Sequence, residues 1–480
     1  MPDYKSPGVY IEEIPKLPPS IAQVETAIPA FIGYTQKALD RNNASLTNDP
    51  TRITSLLEYE TFFGKAANED NLEVTLVQEQ TGSVITKETI SVAFNGAASK
   101  HNMYYALQSY FANGGGPCFI VSVGAFKANL GDQLSLAEMS AGLSALAKED
   151  EPTLIVFPEG QHMDESEYYT LQNDALAQCN LLQDRFSIMD LHHTGSGLLT
   201  SGDVSTAAEA FRDGITNHLK YGAAYFPNIR TVFSYLYNED AVNVVHTVNG
   251  SPGSLNGAAL SNLKDSSNAA YNTAAYGKLK AAANNFGVVL PPSSTIAGIY
   301  AAVDTNRGVW KAPANVGING LRGLTYKVTN SEQDFLNVDT TSGKSINCIR
   351  AFTGKGTLVW GARTLAGNDN EWRYVPVRRF FNMVEESCKK ASAQFVFEPN
   401  DANTWVKVKA MIENYLTVLW RQGALAGAKP EHAFYVACGL NQTMTAQDIL
   451  EGKLIVEIGM AAVRPAEFII LRFSHKMQES

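Results

Sequence analysis

The stretch MDLHHTGSG brings Asp190, His192 and His193 within four positions, and carboxylate, imidazole and hydroxyl groups are the parts of a nucleophilic hydrolase. His246 and a later serine complete an Asp, His, Ser order. Such an order is weak by itself, because a triad is defined by geometry and eight histidines in 480 residues generate it freely. No GxSxG elbow, HExxH or paired-cysteine motif accompanies it. A solvated loop pair is the simpler reading; an α/β hydrolase using Asp190 with His192 or His193 is the alternative. TSGKS (341–345) ends like a phosphate-binding loop, yet position 338, where such a loop needs glycine, holds valine. The glycines of NGGGPC follow a helical pattern and precede an extended one, the reverse of the order that aims a helix N-terminus at phosphate. Cys118, Cys179, Cys348, Cys388 and Cys438 are odd in number and widely spaced, which fits reduced core thiols better than a disulfide framework or a zinc site. Neither a cofactor nor a metal is expected.

The elements that would position such groups are legible as alternating patterns. AFIGYT (30–35) reads as a buried strand, and SLLEYETFFG as a short helix with Ser55 as N-cap and Gly64 as stop. Residues 72–94 alternate and turn near Thr81-Gly82, a hairpin signal. From HNMYYALQSYFA onward, helical stretches interleave with the apolar runs PCFIVSVG, TLIVFPE, RFSIMDL and AAYFPNI. Short continuous apolar strands between amphipathic helices imply an α/β fold with a mostly parallel sheet covered on both faces. Residues 238–285, rich in Asn, Ser, Gly and Ala, read as a surface excursion with one Ala-rich helix. Later, Trp405, Val408, Ile412, Tyr415 and Leu419 recur at helical spacing, and HAFYVACG, KLIVEIGMAAV and EFIILRF read as extended.

Composition narrows the partners. A net charge of −10 argues against a general nucleic-acid binder. Residues 350–480 nevertheless carry 16 Lys+Arg against 13 Asp+Glu, while the first 349 carry 22 against 35, so a mildly basic C-terminal part stands beside an acidic remainder. No apolar run is long enough to span a membrane, and the opening Met1-Pro2-Asp3 has no signal-peptide pattern. Six of the nineteen prolines fall within the first 29 residues, so neither a helix nor a central strand can run through them. Between them, Val9, Tyr10 and Ile11 form a sticky β-prone triplet whose pairing partner must lie elsewhere, in this chain or another.

PPSSTIAGIYAAVDTNRGVWKAPAN (291–315) resembles the signature of contractile tail sheath proteins, the family shared by contractile phages, R-type pyocins and extracellular contractile injection systems. LNVDTTSGKSINCIRAFTGKGTLVWGARTL, RQGALAG and KLIVEIGMAAVRPAEFIILRF continue the resemblance, as do SPGVYIEEI and FANGGGPCFIVSV. It implies a structural subunit without enzymatic activity. Such subunits stack as hexameric rings around an inner tube protein and contract, with baseplate and terminator or cap proteins at the ends. The implied organisation is an N-terminal arm (1–25), an N-terminal α/β part (26–150), a central subtilisin-like sheath domain (151–349) and a tube-facing C-terminal domain with a strand arm (350–480). In strand addition of this kind, Val9, Tyr10 and Ile11 would be donated at one end and Phe468, Ile469, Ile470 and Leu471 at the other. Arg373, Arg378, Arg379, Lys389, Lys390, Lys407 and Lys409 become candidates for facing an acidic tube. The resemblance also implies assembly in the bacterial cytoplasm as part of a phage tail or a tail-like injection particle, with no membrane insertion.

Overall fold

The computed structural model describes residues 21–129, 131–193 and 200–470. They divide into two compact units, residues 25–382 with 464–470, and residues 21–24 with 383–463.

In the first unit, six strands run parallel in the spatial order Cys118–Ala125, Pro29–Thr35, Leu154–Val156, Phe186–Asp190, Gly222–Phe226, Ile346–Phe352. Short antiparallel strands extend both edges, Thr51–Ile53 at one end, Gly356–Val359 and then Val316–Gly317 at the other. Four of the six are buried along their whole length, as expected of a sheet covered on both faces. Helices Leu136–Leu146, Glu165–Leu182 and Ser201–Gly214 bury Leu143, Leu176 and Phe211 in one core. Helices Met103–Ala112 and Ser293–Arg307 bury Leu107, Tyr110, Ile296 and Tyr300 in another. The mixed α/β class expected from the sequence is what folds.

Two expected boundaries dissolve in this sheet. Residues 26–150 and 151–349 supply adjacent strands, Pro29–Thr35 beside Leu154–Val156, so they share one body. The boundary at 349/350 falls inside Ile346–Phe352, which pairs with Gly222–Phe226. The physical reason is that an interior strand needs neighbours on both edges, and residues 346–359 supply them.

The hairpin and the excursion also merge. Leu72–Thr81 and Val84–Phe94 pair antiparallel, and Asn243–Val248 adds parallel to the first, with Val244 opposite Val74. Together with helix Thr273–Asn285 they bury Leu72, Val74, Leu76, Val242, Val244, Leu260, Leu263 and Leu279 in a core of their own. Residues 238–285, expected as a surface excursion with one Ala-rich helix, carry that helix and also supply a strand to this subdomain.

In the second unit, helix Ala402–Arg421 starts where the Asp401 carboxylate accepts the N–H groups of Asn403 and Thr404, both at 3.0 Å. It buries Val408, Met411, Ile412, Tyr415, Leu416 and Leu419. Phe434–Cys438 and Val456–Met460 pair antiparallel as a sheet of two strands. Among the described residues no helix is long and apolar enough to cross a membrane.

Candidate functional site

Two antiparallel strands are marginal in water, and this pair keeps open edges among the described residues. Register places Tyr435 opposite Gly459 and Ala437 opposite Glu457. The Tyr435 ring lies where a Cβ on residue 459 would stand, 2.1 Å from its nearest carbon, so a side chain there would push the ring aside. The Tyr435 hydroxyl then donates to Glu457 Oε1 at 2.5 Å. Val436 and Cys438 point the other way and are buried. The result is a two-stranded sheet with one buried face, whose edges pair with no further strand among the described residues.

A segment suited to such pairing stands exposed in the first unit. Phe468, Ile469 and Ile470 are 69%, 79% and 78% exposed and form no strand. The residue before them is fixed. Glu467 accepts Arg363 Nε at 2.9 and 3.1 Å and a terminal nitrogen of the same guanidinium at 2.6 Å. Asn337 Nδ2 and the Tyr374 hydroxyl add bonds of 3.0 and 3.2 Å. Burial alone would raise the Glu467 carboxyl, but Arg363 holds it below the usual carboxylate range. Val9, Tyr10, Ile11 and Leu471 lie outside the described residues.

The basic candidates differ in exposure and in partners. Arg378 and Arg379 are 2% and 3% exposed, so the expectation that they present charge outward is corrected. Arg378 stacks on Trp372 at 4.2 Å and donates through Nε to Asn382 at 2.7 Å. Arg379 grips Asp304 through two bonds of 3.1 and 2.5 Å, donates to the Thr26 carbonyl at 2.8 Å and lies over the Tyr300 ring. Burial of a charge is tolerated only with such partners. Arg373 is half-buried and closes its own loop onto Gly367 and Asn370. Lys389 and Lys390 are exposed and sit 3.1 and 3.4 Å from Glu386. Lys407 is exposed, and Lys409 lies 3.8 Å from Glu413.

The hydrolase constellation does not assemble. Asp190 is buried and takes the Ser293 N–H at 2.7 Å and its hydroxyl at 2.6 Å, anchoring the start of helix Ser293–Arg307. No histidine stands between that carboxylate and that hydroxyl. His192 Nε2 faces the Met163 carbonyl at 3.0 Å, His193 Nε2 faces Asn228 Nδ2 at 3.2 Å, and His246 bonds Gln78 within the inserted subdomain. A cleft of about 910 Å³ near these residues is lined by Gln161, His162, His193 and Asn228. Its amides satisfy one another, Gln161 and Asn228 exchanging bonds of 3.0 and 2.8 Å, while burial pushes the His162 imidazole down to about 4. The TSGKS loop is likewise occupied: the N–H groups of Thr341 and Ser342 donate to Asp339, and the Lys344 ammonium donates to the Arg212 carbonyl. All five cysteines are free and buried, and burial pushes the Cys348 thiol up to about 12.

Burial also pushes the Asp190 carboxyl up to about 7, against the lowering pull of its Ser293 bonds. From the unfolded value of roughly 4 upward, the folded chain holds a proton that the unfolded chain releases. Stability from this group is therefore full at low pH and is lost as pH rises through about 7. Asp190→Asn is expected to flatten that slope, so its melting temperature should change less than the wild type's between about pH 5 and about pH 8. Equal slopes in thermal scans would contradict this.

Comparison with known proteins points one way. The phage tail sheath protein central domain matches residues 197–365, and the phage tail sheath C-terminal domain matches residues 367–476. The tail sheath protein of Vibrio phage KVP40 is 25% identical over 188 residues, 38% of this chain and 26% of that protein. The tail sheath protein of Burkholderia phage BcepMu is 30% identical over 145 residues, 29% of this chain and 30% of that protein. The chain thus matches less than a third of either curated relative. Solved sheath structures match end to end. The PVC sheath complex of an extracellular contractile injection system, in its contracted state, is 30% identical with 99% of both chains covered and a TM-score of 0.63. The contracted helical sheath of the anti-feeding prophage is 32% identical, covering 98% of this chain and all of that one, with a TM-score of 0.62.

Proposed function

We propose, from the premise that this chain belongs to the contractile tail sheath protein family, that it polymerises as hexameric rings around an inner tube and contracts to drive that tube through a target envelope. The observation that carries this reading is the open two-stranded sheet of residues 434–460 in a chain whose Phe468, Ile469 and Ile470 stand exposed. A strand donated by a second copy supplies backbone partners for an edge that lacks them and covers apolar side chains that are otherwise wet. The N-terminal arm, with Val9, Tyr10 and Ile11, is the second donor, and its prolines keep it from pairing early.

Contraction in this reading is a passage from a trapped lattice to one of lower free energy, the donated strands keeping subunits linked throughout. No nucleotide enters the cycle. The subtilisin-like description of the central region concerns shape and carries no proteolytic role. Lys389, Lys390, Lys407 and Lys409 are the basic residues left to meet an acidic tube, through weak pairs that salt screens. Baseplate and terminator proteins complete the partner set, and assembly takes place in the bacterial cytoplasm. An extracellular injection particle is favoured over a phage tail, because the end-to-end matches at 30% and 32% identity are to an extracellular contractile injection system and the anti-feeding prophage.

Negative-stain microscopy of the purified chain, alone and with its tube protein, is the direct test. Hollow cylinders are expected, and deletion of residues 1–15 is expected to abolish them. Dispersed subunits that persist with the tube present would overturn the sheath reading; cylinders built by the truncated chain would overturn the role given to the leader.

A further inference from the structure

The contacts behind Glu467 run deep into the body. Arg363, whose side chain is 5% exposed, holds Glu467 through Nε and a terminal nitrogen, and its other terminal nitrogen donates to the Asn337 carbonyl at 3.2 Å. The Arg363 backbone is held in turn. Its N–H donates to Asn347 Oδ1 at 2.8 Å, and its carbonyl accepts Asn347 Nδ2 at 2.8 Å. Asn347 is buried on Ile346–Phe352, and the same Nδ2 reaches the carbonyl of Ala224 on the neighbouring parallel strand at 3.1 Å. An unbroken path of polar contacts thus leads from the root of the exposed segment to two interior strands of the nine-stranded sheet.

We infer that Arg363 is an anchoring residue: it ties the root of the C-terminal segment to the parallel sheet, so that a pull exerted on Phe468–Ile470 by a second copy of this chain is delivered to the sheet. The inference rests on the proposed strand donation for the source of the pull, though not for the anchor itself. Arg363 supplies the charged grip on Glu467, to which Asn337 and Tyr374 add one neutral bond each, and residues 464–470 form no strand that would otherwise hold them. A guanidinium fork gripping both carboxylate oxygens resists displacement in more directions than a point charge would. Shear along the segment therefore meets two parallel bonds, and behind them a side-chain amide that bridges two strands.

The test uses the full chain as wild type, Glu467→Gln, and the double variant Arg363→Met with Glu467→Gln. Chymotryptic cleavage after Phe468 is read by mass on dispersed subunits, and fragmentation under controlled shear is read on assembled cylinders. Cleavage after Phe468 is expected to be about tenfold faster or more in Glu467→Gln, with cylinders that break at lower shear, while the unpaired Arg363 charge lowers the melting temperature. The double variant strands no charge, so it is expected to recover most of the melting temperature and to be cleaved as fast as the single one, since the pair acts as a unit. Cleavage after Phe468 at the wild-type rate in the folded double variant would overturn the anchor. If wild type forms no cylinders, the assembly reading fails by itself, and the cleavage comparison still decides whether Arg363 holds the segment.

Discussion

Phe468→Asp combined with Ile470→Asp is expected to suppress polymer formation while leaving the free subunit as stable as wild type. Residues two apart in an extended segment share a face, so the pair places two charges on whatever surface takes the segment. Burying a large apolar side chain contributes about 1.5–3 kcal/mol. Two together give about 3–6 kcal/mol, or ~10²- to 10⁴-fold in the association constant. The subunit itself loses little, since both side chains are already mostly in water. Pelleting assays across subunit concentration, with melting curves as control, read both halves of this expectation. A critical concentration equal to that of wild type would remove Phe468 and Ile470 from the contact between copies.

Arg379→Met is expected to cost the subunit a large share of its stability. Asp304, with a side chain 5% exposed, would lose a bidentate partner and keep only Thr26 Oγ1, which donates to it at 2.6 Å. Removing one member of a buried pair costs about 3–5 kcal/mol, because the remaining charge stays desolvated. The change also removes one of two bonds to the Thr26 carbonyl, which keeps the Thr153 hydroxyl at 2.9 Å, and uncovers the Tyr300 ring. Adding Asp304→Asn should restore much of the loss, since it removes the stranded charge. Calorimetric scans of the two variants check this, and an Arg379→Met melting curve that overlays the wild type would refute it.

What the sequence revealed depended on how local the physics was. Helix Leu56–Phe63 begins and ends where its caps say, because the Ser55 hydroxyl accepts the Glu58 N–H and Gly64 adopts a φ of +84°. The hairpin of residues 72–94 was legible from alternation alone. Its third strand was not. Asn243–Val248 lies far along the chain in a stretch dominated by turn residues, and nothing local indicates that Val244 faces Val74. Arg378 and Arg379 misled for a related reason. Basic residues on an amphipathic helix ordinarily solvate its outer face, and the Asp304 that draws Arg379 inward is 75 positions away. Glu467 is the acidic residue of EFIILRF, and nothing local names its partner, because Arg363 lies 104 positions away in another of the stretches that carried the family resemblance. The open sheet was legible only as two of three extended runs, the third of which forms no strand among the described residues, because unpaired edges are a property of topology.

The self-contained core of the inserted subdomain bears on how the chain could be engineered. Its hairpin turns at Gly82 and Ser83, both exposed, and a Cβ on Gly82 would meet no other atom within 4 Å. A peptide spliced between them lengthens a turn whose strands already bury their apolar face beneath helix Thr273–Asn285. The nine-stranded sheet, the anchored C-terminal segment and the two-stranded sheet remain as they were. Each copy of the chain contributes one such site, so a polymer of it becomes a display scaffold whose valency grows with its length.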